Sequence, residues 1–249
     1  MKVEEINPYS ESDDKGKQVE QMFDSIARRY DFMNSAMSLG QHRVWRNKAL
    51  KAALELLPGD NNKIKILDVA TGTGDVAFRL HQLLPLSFIT GIDLSEGMLD
   101  IARKKLLELP IKEQELLAFG KGDSLSMPFH DGHFDFITVA YGVRNFSNLR
   151  KGLEEIRRVL SLGGVLCIIE LSTPEGILTK PLYNLYAGKV IPWLGKKVTG
   201  DNRAYSYLPE SIAACPQRDD MATLLYASGF THVEWKSLSF GALSYYLAK

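Results

Sequence analysis

The feature that most constrains this chain is a series of short, nearly continuous apolar segments alternating with segments of helical period. Ile64–Val69, Ser87–Ile92, Leu116–Phe119, Phe134–Tyr141 and Val165–Leu171 read as strands. Between them, Asp75–Leu84, Glu96–Leu107 and Leu149–Leu160 read as helices, and Ser95 stands where an N-cap belongs. A strand that is apolar throughout has to be covered on both faces, and helices between consecutive strands do this when the strands run parallel. The expected fold class is α/β: a doubly wound, mostly parallel, Rossmann-like sheet. Val233–Leu238 and Ala242–Leu247 add two further strands, suited to an antiparallel hairpin.

Upstream of the first strand the pattern is helical. Val19, Met22, Phe23 and Ile26 recur three and four apart, as do Trp45, Ala49, Ala52, Ala53 and Leu56, before Pro58–Asn62 turns the chain. Residues 1–18 are polar and charged and are expected to form a flexible tail. A single domain over 19–249 fits the length of 249 residues better than two. After Gly176 the periodicity blurs until a helix at Met221–Ser228.

Composition excludes several classes. Thirty basic residues balance thirty acidic ones, which argues against nucleic acid as a partner. Cys167 and Cys215 are too few for a disulfide framework, which points to a reducing, cytoplasmic setting. No apolar run reaches bilayer-spanning length, and Met1–Glu5 has no signal-peptide character.

The sharpest motif is Leu67-Asp68-Val69-Ala70-Thr71-Gly72-Thr73-Gly74-Asp75, at the end of the first strand and the start of the first helix of the α/β unit. Gly72 and Gly74 permit a tight turn and close approach to a ligand, at the sheet edge where such folds bind nucleotides. Nineteen residues after Gly74, Asp93 ends the second strand, where a carboxylate can accept both hydroxyls of a ribose. Asp123-Ser124 follows the third strand, where Asp123 can take the amino group of adenine. A dinucleotide fits the glycine spacing too, but Asp75 and Asp68 would repel its pyrophosphate at a helix N-terminus that otherwise favours anions. The sulfonium and ammonium of S-adenosylmethionine are cationic, so the charges favour this cofactor. No metal site is expected.

Two segments outside this motif are rich in reactive side chains: Tyr30–Trp45, and Tyr141-Gly142-Val143-Arg144-Asn145 after the fourth strand. The first, with Tyr30-Asp31, Met33-Asn34, Met37-Ser38, Gly40, His42-Arg43 and Trp45, resembles the N-terminal signature of the ubiquinone/menaquinone biosynthesis C-methyltransferase family. Arg158-Val159-Leu160 through Gly163-Gly164 to Glu170-Leu171-Ser172 and Pro174 is similar to its second signature, and Tyr205–Ile212 fits as well. The resemblance runs from about Val19 to the end and implies a Rossmann-like S-adenosylmethionine-dependent methyltransferase. It places donor contacts at Thr73, Asp93, Asp123 and Ser124, with Asp68, Gly72 and Gly74 completing the expected set.

The reaction it implies is methylation of a ring carbon of a prenylated quinol: demethylmenaquinol to menaquinol, or the benzoquinol step of ubiquinone biosynthesis. Such a carbon becomes nucleophilic when a ring hydroxyl loses its proton. Arg144 is the expected holder of the developing aryloxide, with Asn145 and Tyr30 orienting the hydroxyls. Asp31 and His42 are the candidate proton acceptors; each also has a structural reading, Asp31 as the partner of an arginine and His42 as part of a packed helical face. Residues 19–57 are expected on the substrate side and 175–216 as a lid insertion. Within the latter, Ile177–Trp193, with Lys180, Lys189, Lys196 and Lys197, suits an isoprenoid tail channel touching a membrane surface, or a homodimer contact. Alternatives are a methyltransferase for another small molecule, a nicotinamide-dependent oxidoreductase, and a noncatalytic member of a quinone-biosynthesis assembly.

Overall fold

A computed structural model describes residues 2–10, 13–59, 63–177, 179–186 and 202–249. Two helices come first, α1 (Lys15–Ser38) and α2 (Gln41–Leu54), joined by a reversal in which Leu39 and Gly40 both take left-handed conformations. The α/β unit follows: β1 (Lys65–Val69), α3 (Asp75–Leu83), β2 (Phe88–Asp93), α4 (Glu96–Leu107), a helical turn α5 (Ile111–Gln114), β3 (Leu117–Lys121), β4 (Phe134–Ala140), α6 (Leu149–Val159) and β5 (Leu160–Leu171). The chain ends with α7 (Thr179–Leu185), α8 (Asn202–Ala214), α9 (Asp219–Ala227), β6 (Val233–Leu238) and β7 (Leu243–Ala248).

The seven strands form one sheet in the order β3-β2-β1-β4-β5-β7-β6. β1 to β5 pair in parallel, and β7 pairs antiparallel with both β5 and β6. Cores fill both faces: Leu67, Val69, Ile137 and Val139 point to one, Ile66, Phe136, Val165 and Cys167 to the other. The topological reversal lies between β1 and β4, so the crevice at their carboxyl ends is the natural ligand site.

Most expected elements are present, and Ser95 caps α4 by accepting from the Met98 N–H. Gly163-Gly164 does not separate helix from strand; it forms an irregularity inside β5, where the register with β4 shifts. Helix α8 falls where the periodicity blurred, because Pro209 sits inside it. Of the expected lid, 175–216, residues 187–201 lie outside the described residues, and with them Lys189, Trp193, Lys196 and Lys197. No helix among the described residues is long and apolar enough to cross a membrane.

The expectation of a flexible tail over 1–18 is corrected for its described residues, 2–10 and 13–18. Val3 is buried in the core beside Val143, and α1 already starts at Lys15. Gln18 receives the Tyr9 and Ser10 N–H groups at 2.9 and 2.8 Å, and buried Lys15 donates to the carbonyls of Val3 and Arg144. Few apolar residues hold this segment; polar side chains that satisfy its backbone do so instead.

Candidate active site

The crevice holds two adjoining cavities. The first, of about 360 Å³, is walled by Ala70, Gly72, Asp93, Asp123, Ser124, Gly142 and Asn145, with Val19, Phe23 and Tyr30 of α1 closing over it. Helix α1 is anchored there by Asp24, which accepts from Ser95 Oγ at 2.5 Å and from the Gly97 N–H at 2.9 Å. The second, of about 230 Å³, is mostly apolar, lined by Met22, Ile26, Met33, Met37, Trp45, Tyr183, Tyr186, Tyr207 and Leu208, with Asn34, Ser38, His42 and Arg144 as polar members. Phe23, Tyr30 and Tyr141 line both and form the partition between them.

In the first cavity, Gly72 adopts a left-handed conformation, with open space where a Cβ would project. Asp93 accepts from the Gly72 N–H at 2.8 Å and the Ser95 N–H at 2.9 Å, which fixes its carboxylate at the end of β2. Burial pushes its pKa above the usual carboxylate value, and the backbone donors oppose that shift. Asp123 accepts from the Leu125 N–H at 2.9 Å and lies with Ser124 on the cavity wall. The donor set fits S-adenosylmethionine: a glycine-lined loop for close approach, the carboxylates of Asp93 and Asp123 for hydroxyl and amino donors, Asp14 and Glu20 of the N-terminal region adding negative charge, and Lys17 as the one cation among the described wall residues.

Three residues expected at the donor lie behind the loop instead. Asp68 is buried below it, accepting from Thr71 Oγ1 at 2.6 Å and Thr138 Oγ1 at 2.7 Å, and burial raises its pKa to about 6. Thr73 Oγ1 donates to Asp31 at 2.6 Å. Gly74 begins α3, and a Cβ there would come within 2.8 Å of Phe78 and 3.1 Å of Phe119. All three shape the loop, and none lines the cavity.

Asp31, an expected proton-acceptor candidate, sits in an ion-pair network rather than on a cavity wall. Its second oxygen pairs with Lys105 at 2.7 Å; Lys105 reaches Asp75 at 3.0 Å, and Asp75 binds Arg46 at 3.2 Å. The network ties α1, α2, α3 and α4 together, and Asp31 lines neither cavity. Its partner is Lys105, far away in sequence, rather than a nearby arginine. Asp75 is neutralised here: burial works against its ionisation, but Lys105 and Arg46 outweigh that and hold its pKa below the usual carboxylate value. Of the four acids singled out in the sequence, Asp93 and Asp123 therefore line the first cavity, and Asp68 and Asp75 do not.

Tyr30, Arg144, Asn145 and His42 do converge on the cavities. Arg144, 5% exposed, follows β4 and pairs through Nη1 with Glu170 Oε1 at 2.9 Å, at the end of β5. Its Nε is buried without a partner among the described residues. Asn145 Oδ1 accepts from Tyr207 Oη at 3.0 Å. Burial raises the pKa of Tyr30 despite the neighbouring Arg144, so its phenol stays protonated. His42 Nδ1 lies 2.6 Å from Ser38 Oγ, and burial, followed by Arg46 and Arg43, lowers its pKa.

Sequence reasoning gave no role to Glu170, Tyr141, Lys105 or Tyr207. Glu170 carries a signal: an acid at the end of an apolar strand needs a buried cation. The other three have no local signature, since only the fold brings them to the site.

Comparison with known structures places the fold. A methyltransferase from Thermotoga maritima, described as S-adenosylmethionine-dependent and a possible histamine N-methyltransferase, superposes with a TM-score of 0.59 over 92% of this chain and 98% of its own, at 19% identity. That likeness is one of fold; the class follows from a methyltransferase family profile that matches residues 11–249, with the cavity at the β1–β4 edge to receive the donor: an S-adenosylmethionine-dependent methyltransferase. The chain belongs to the ubiE/COQ5 methyltransferase family, whose profile matches residues 11–249. The demethylmenaquinone methyltransferase of Bacteroides fragilis is 45% identical, covering 98% of this chain and 97% of its own length. The mitochondrial 2-methoxy-6-polyprenyl-1,4-benzoquinol methylase of Oryza sativa is 37% identical, covering 93% and 83%.

Proposed function

We propose that this enzyme methylates a ring carbon of a prenylated quinol, converting demethylmenaquinol to menaquinol. The observation that carries this reading is the second cavity: apolar and aromatic, sharing a wall with the donor cavity, and supplied with one buried guanidinium. That combination suits a flat apolar ring whose oxygen becomes anionic during reaction. The names of the relatives, which act on naphthoquinones and benzoquinones, support the same substrate class.

The bound donor supplies an electrophilic methyl group on a sulfonium. Asp93 and Asp123 would hold its ribose and adenine, and Gly72 lets it approach the backbone. Arg144 stays charged at any working pH, and Glu170 holds it in one orientation, so its unpartnered Nε and remaining N–H groups can stabilise a developing aryloxide without reorganising. Asn145 and Tyr30 orient the ring hydroxyls.

His42 is the proton acceptor in this reading. The hydroxyl of Ser38 donates to the Asn34 carbonyl at 2.6 Å, so toward His42 it can only accept, and Nδ1 must carry the hydrogen. Nε2 is then the basic nitrogen, and it has no partner among the described residues. A neutral ring with a free Nε2 beside an acceptor cavity can take the quinol proton.

The test is methyl transfer from labelled S-adenosylmethionine to reduced, short-tailed demethylmenaquinol, with the benzoquinol precursor in parallel. Menaquinol formation is expected at the higher kcat/KM. Donor binding without transfer to either quinol would overturn the substrate assignment.

A further inference from the structure

Tyr141 stands directly before the segment that carries Arg144 and Asn145, and it has three unusual properties. Its backbone is left-handed at φ 59°, a conformation that is strained for a non-glycine residue. Its main chain is nevertheless held firmly. The N–H donates to the Ile169 carbonyl at 2.7 Å, and its own carbonyl receives Arg144 Nη1 at 2.5 Å and Asn145 Nδ2 at 3.4 Å. Gly142 permits this turn, since a Cβ there would come within 2.7 Å of the Ala70 side chain.

The second property is position: the ring forms part of the wall between the two cavities. The third is that its hydroxyl is buried and has no hydrogen-bond partner among the described residues. A phenol oxygen left unpaired in the interior is costly and uncommon, and a strained backbone that maintains one calls for a ligand to complete it. Burial, reinforced by Glu170, holds the pKa of this phenol well above its ordinary value. The group is therefore a hydrogen-bond donor at working pH rather than a base.

We propose that the Tyr141 hydroxyl donates a hydrogen bond to a ring oxygen of the methyl acceptor, making it a substrate-contacting residue beside Arg144. The inference rests on the quinol reading above and deepens it. One phenol and one guanidinium on the same turn would address the oxygens of an aromatic diol, and the strain at Tyr141 is what aims both from a single backbone segment.

Tyr141→Phe tests this with little structural risk, because it keeps the ring and removes only an unsatisfied polar atom. Its thermal midpoint should equal or exceed that of the unmodified enzyme. The kcat/KM for demethylmenaquinol should fall ~10- to 100-fold, the loss expected when a donor to a developing oxyanion is removed. The Kd for S-adenosylhomocysteine, measured by calorimetry, should stay within about twofold. An unchanged kcat/KM would overturn the proposal alone, as would a parallel loss of S-adenosylhomocysteine affinity, which would assign the hydroxyl to the donor. Failure of the unmodified enzyme to methylate either quinol would overturn the quinol reading and this proposal with it.

Discussion

Arg144 Nη1 and Glu170 Oε1 lie 2.9 Å apart, one just beyond β4 and the other near the end of β5, both almost wholly removed from solvent. Glu170 also meets the Arg144 and Leu171 N–H groups, so a single carboxylate fixes the guanidinium and the turn that bears it. Breaking a buried pair from one side leaves an uncompensated charge, worth about 3–5 kcal/mol. Glu170→Gln should lose stability on that scale in urea unfolding, and turnover with it. Arg144→Lys should not restore turnover, because an ammonium lacks the planar fork that serves Glu170 and the aryloxide together.

The acid limb of kcat/KM should fall below the ordinary imidazole value, since burial and the neighbouring arginines lower the pKa of His42. The base is active when neutral, so activity is kept as pH falls until His42 takes up a proton, and is lost below that point. His42→Ala should remove this limb and cost on the order of 100-fold in kcat. A pH–rate profile of both proteins checks it.

Asp31→Asn separates structure from chemistry. Asp31 faces Thr73 and Lys105 rather than the cavities. The variant should keep kcat within about fivefold of the unmodified enzyme, because partly exposed ion pairs contribute little. A loss comparable to that of His42→Ala would return Asp31 to the list of proton acceptors.

Asp93→Ala removes the carboxylate facing the donor cavity and the acceptor for the Gly72 and Ser95 N–H groups. Calorimetry should show at least ~100-fold weaker binding of S-adenosylhomocysteine, since hydrogen bonds to a charged group and the shape of the loop are lost together.

Asp68 predicts a pH-dependent stability. Its folded pKa, about 6, exceeds the ordinary 3.8, so the folded state binds this proton more tightly than the unfolded one. That stabilisation is full below the unfolded value and is lost as pH rises through the folded one. Thermal midpoints taken between about pH 4 and about pH 7 should fall less for Asp68→Asn than for the unmodified protein.

The architecture was readable because its cause is local. Apolar runs such as Phe134–Ala140 and a Ser95 cap before Glu96–Leu107 specify strand and helix within a few residues, and alternation of the two specifies a parallel sheet. The placement of Gly72 and Asp93 on the first cavity's wall was readable for the same reason, since each stands at a strand end marked by its neighbours. Where local order is hidden, prediction failed: Pro209 masks α8, and the described polar residues at 2–10 and 13–18 are held through Lys15 and Gln18 rather than through an apolar face.

Charge partners and cavity walls obeyed a different rule. The sequence by itself determined the doubly wound sheet, the glycine loop and the presence of Tyr30, His42, Arg144 and Asn145 in reactive segments. Only the tertiary structure decided that Asp31 belongs to Lys105, that Glu170 holds Arg144, that Asp68 and Thr73 stand behind the loop, and that Tyr141 separates the two cavities. Electrostatic and hydrogen-bond pairing act over a few ångströms of space, and residues 74 positions apart, such as Asp31 and Lys105, come within that range only when the helices that carry them have packed.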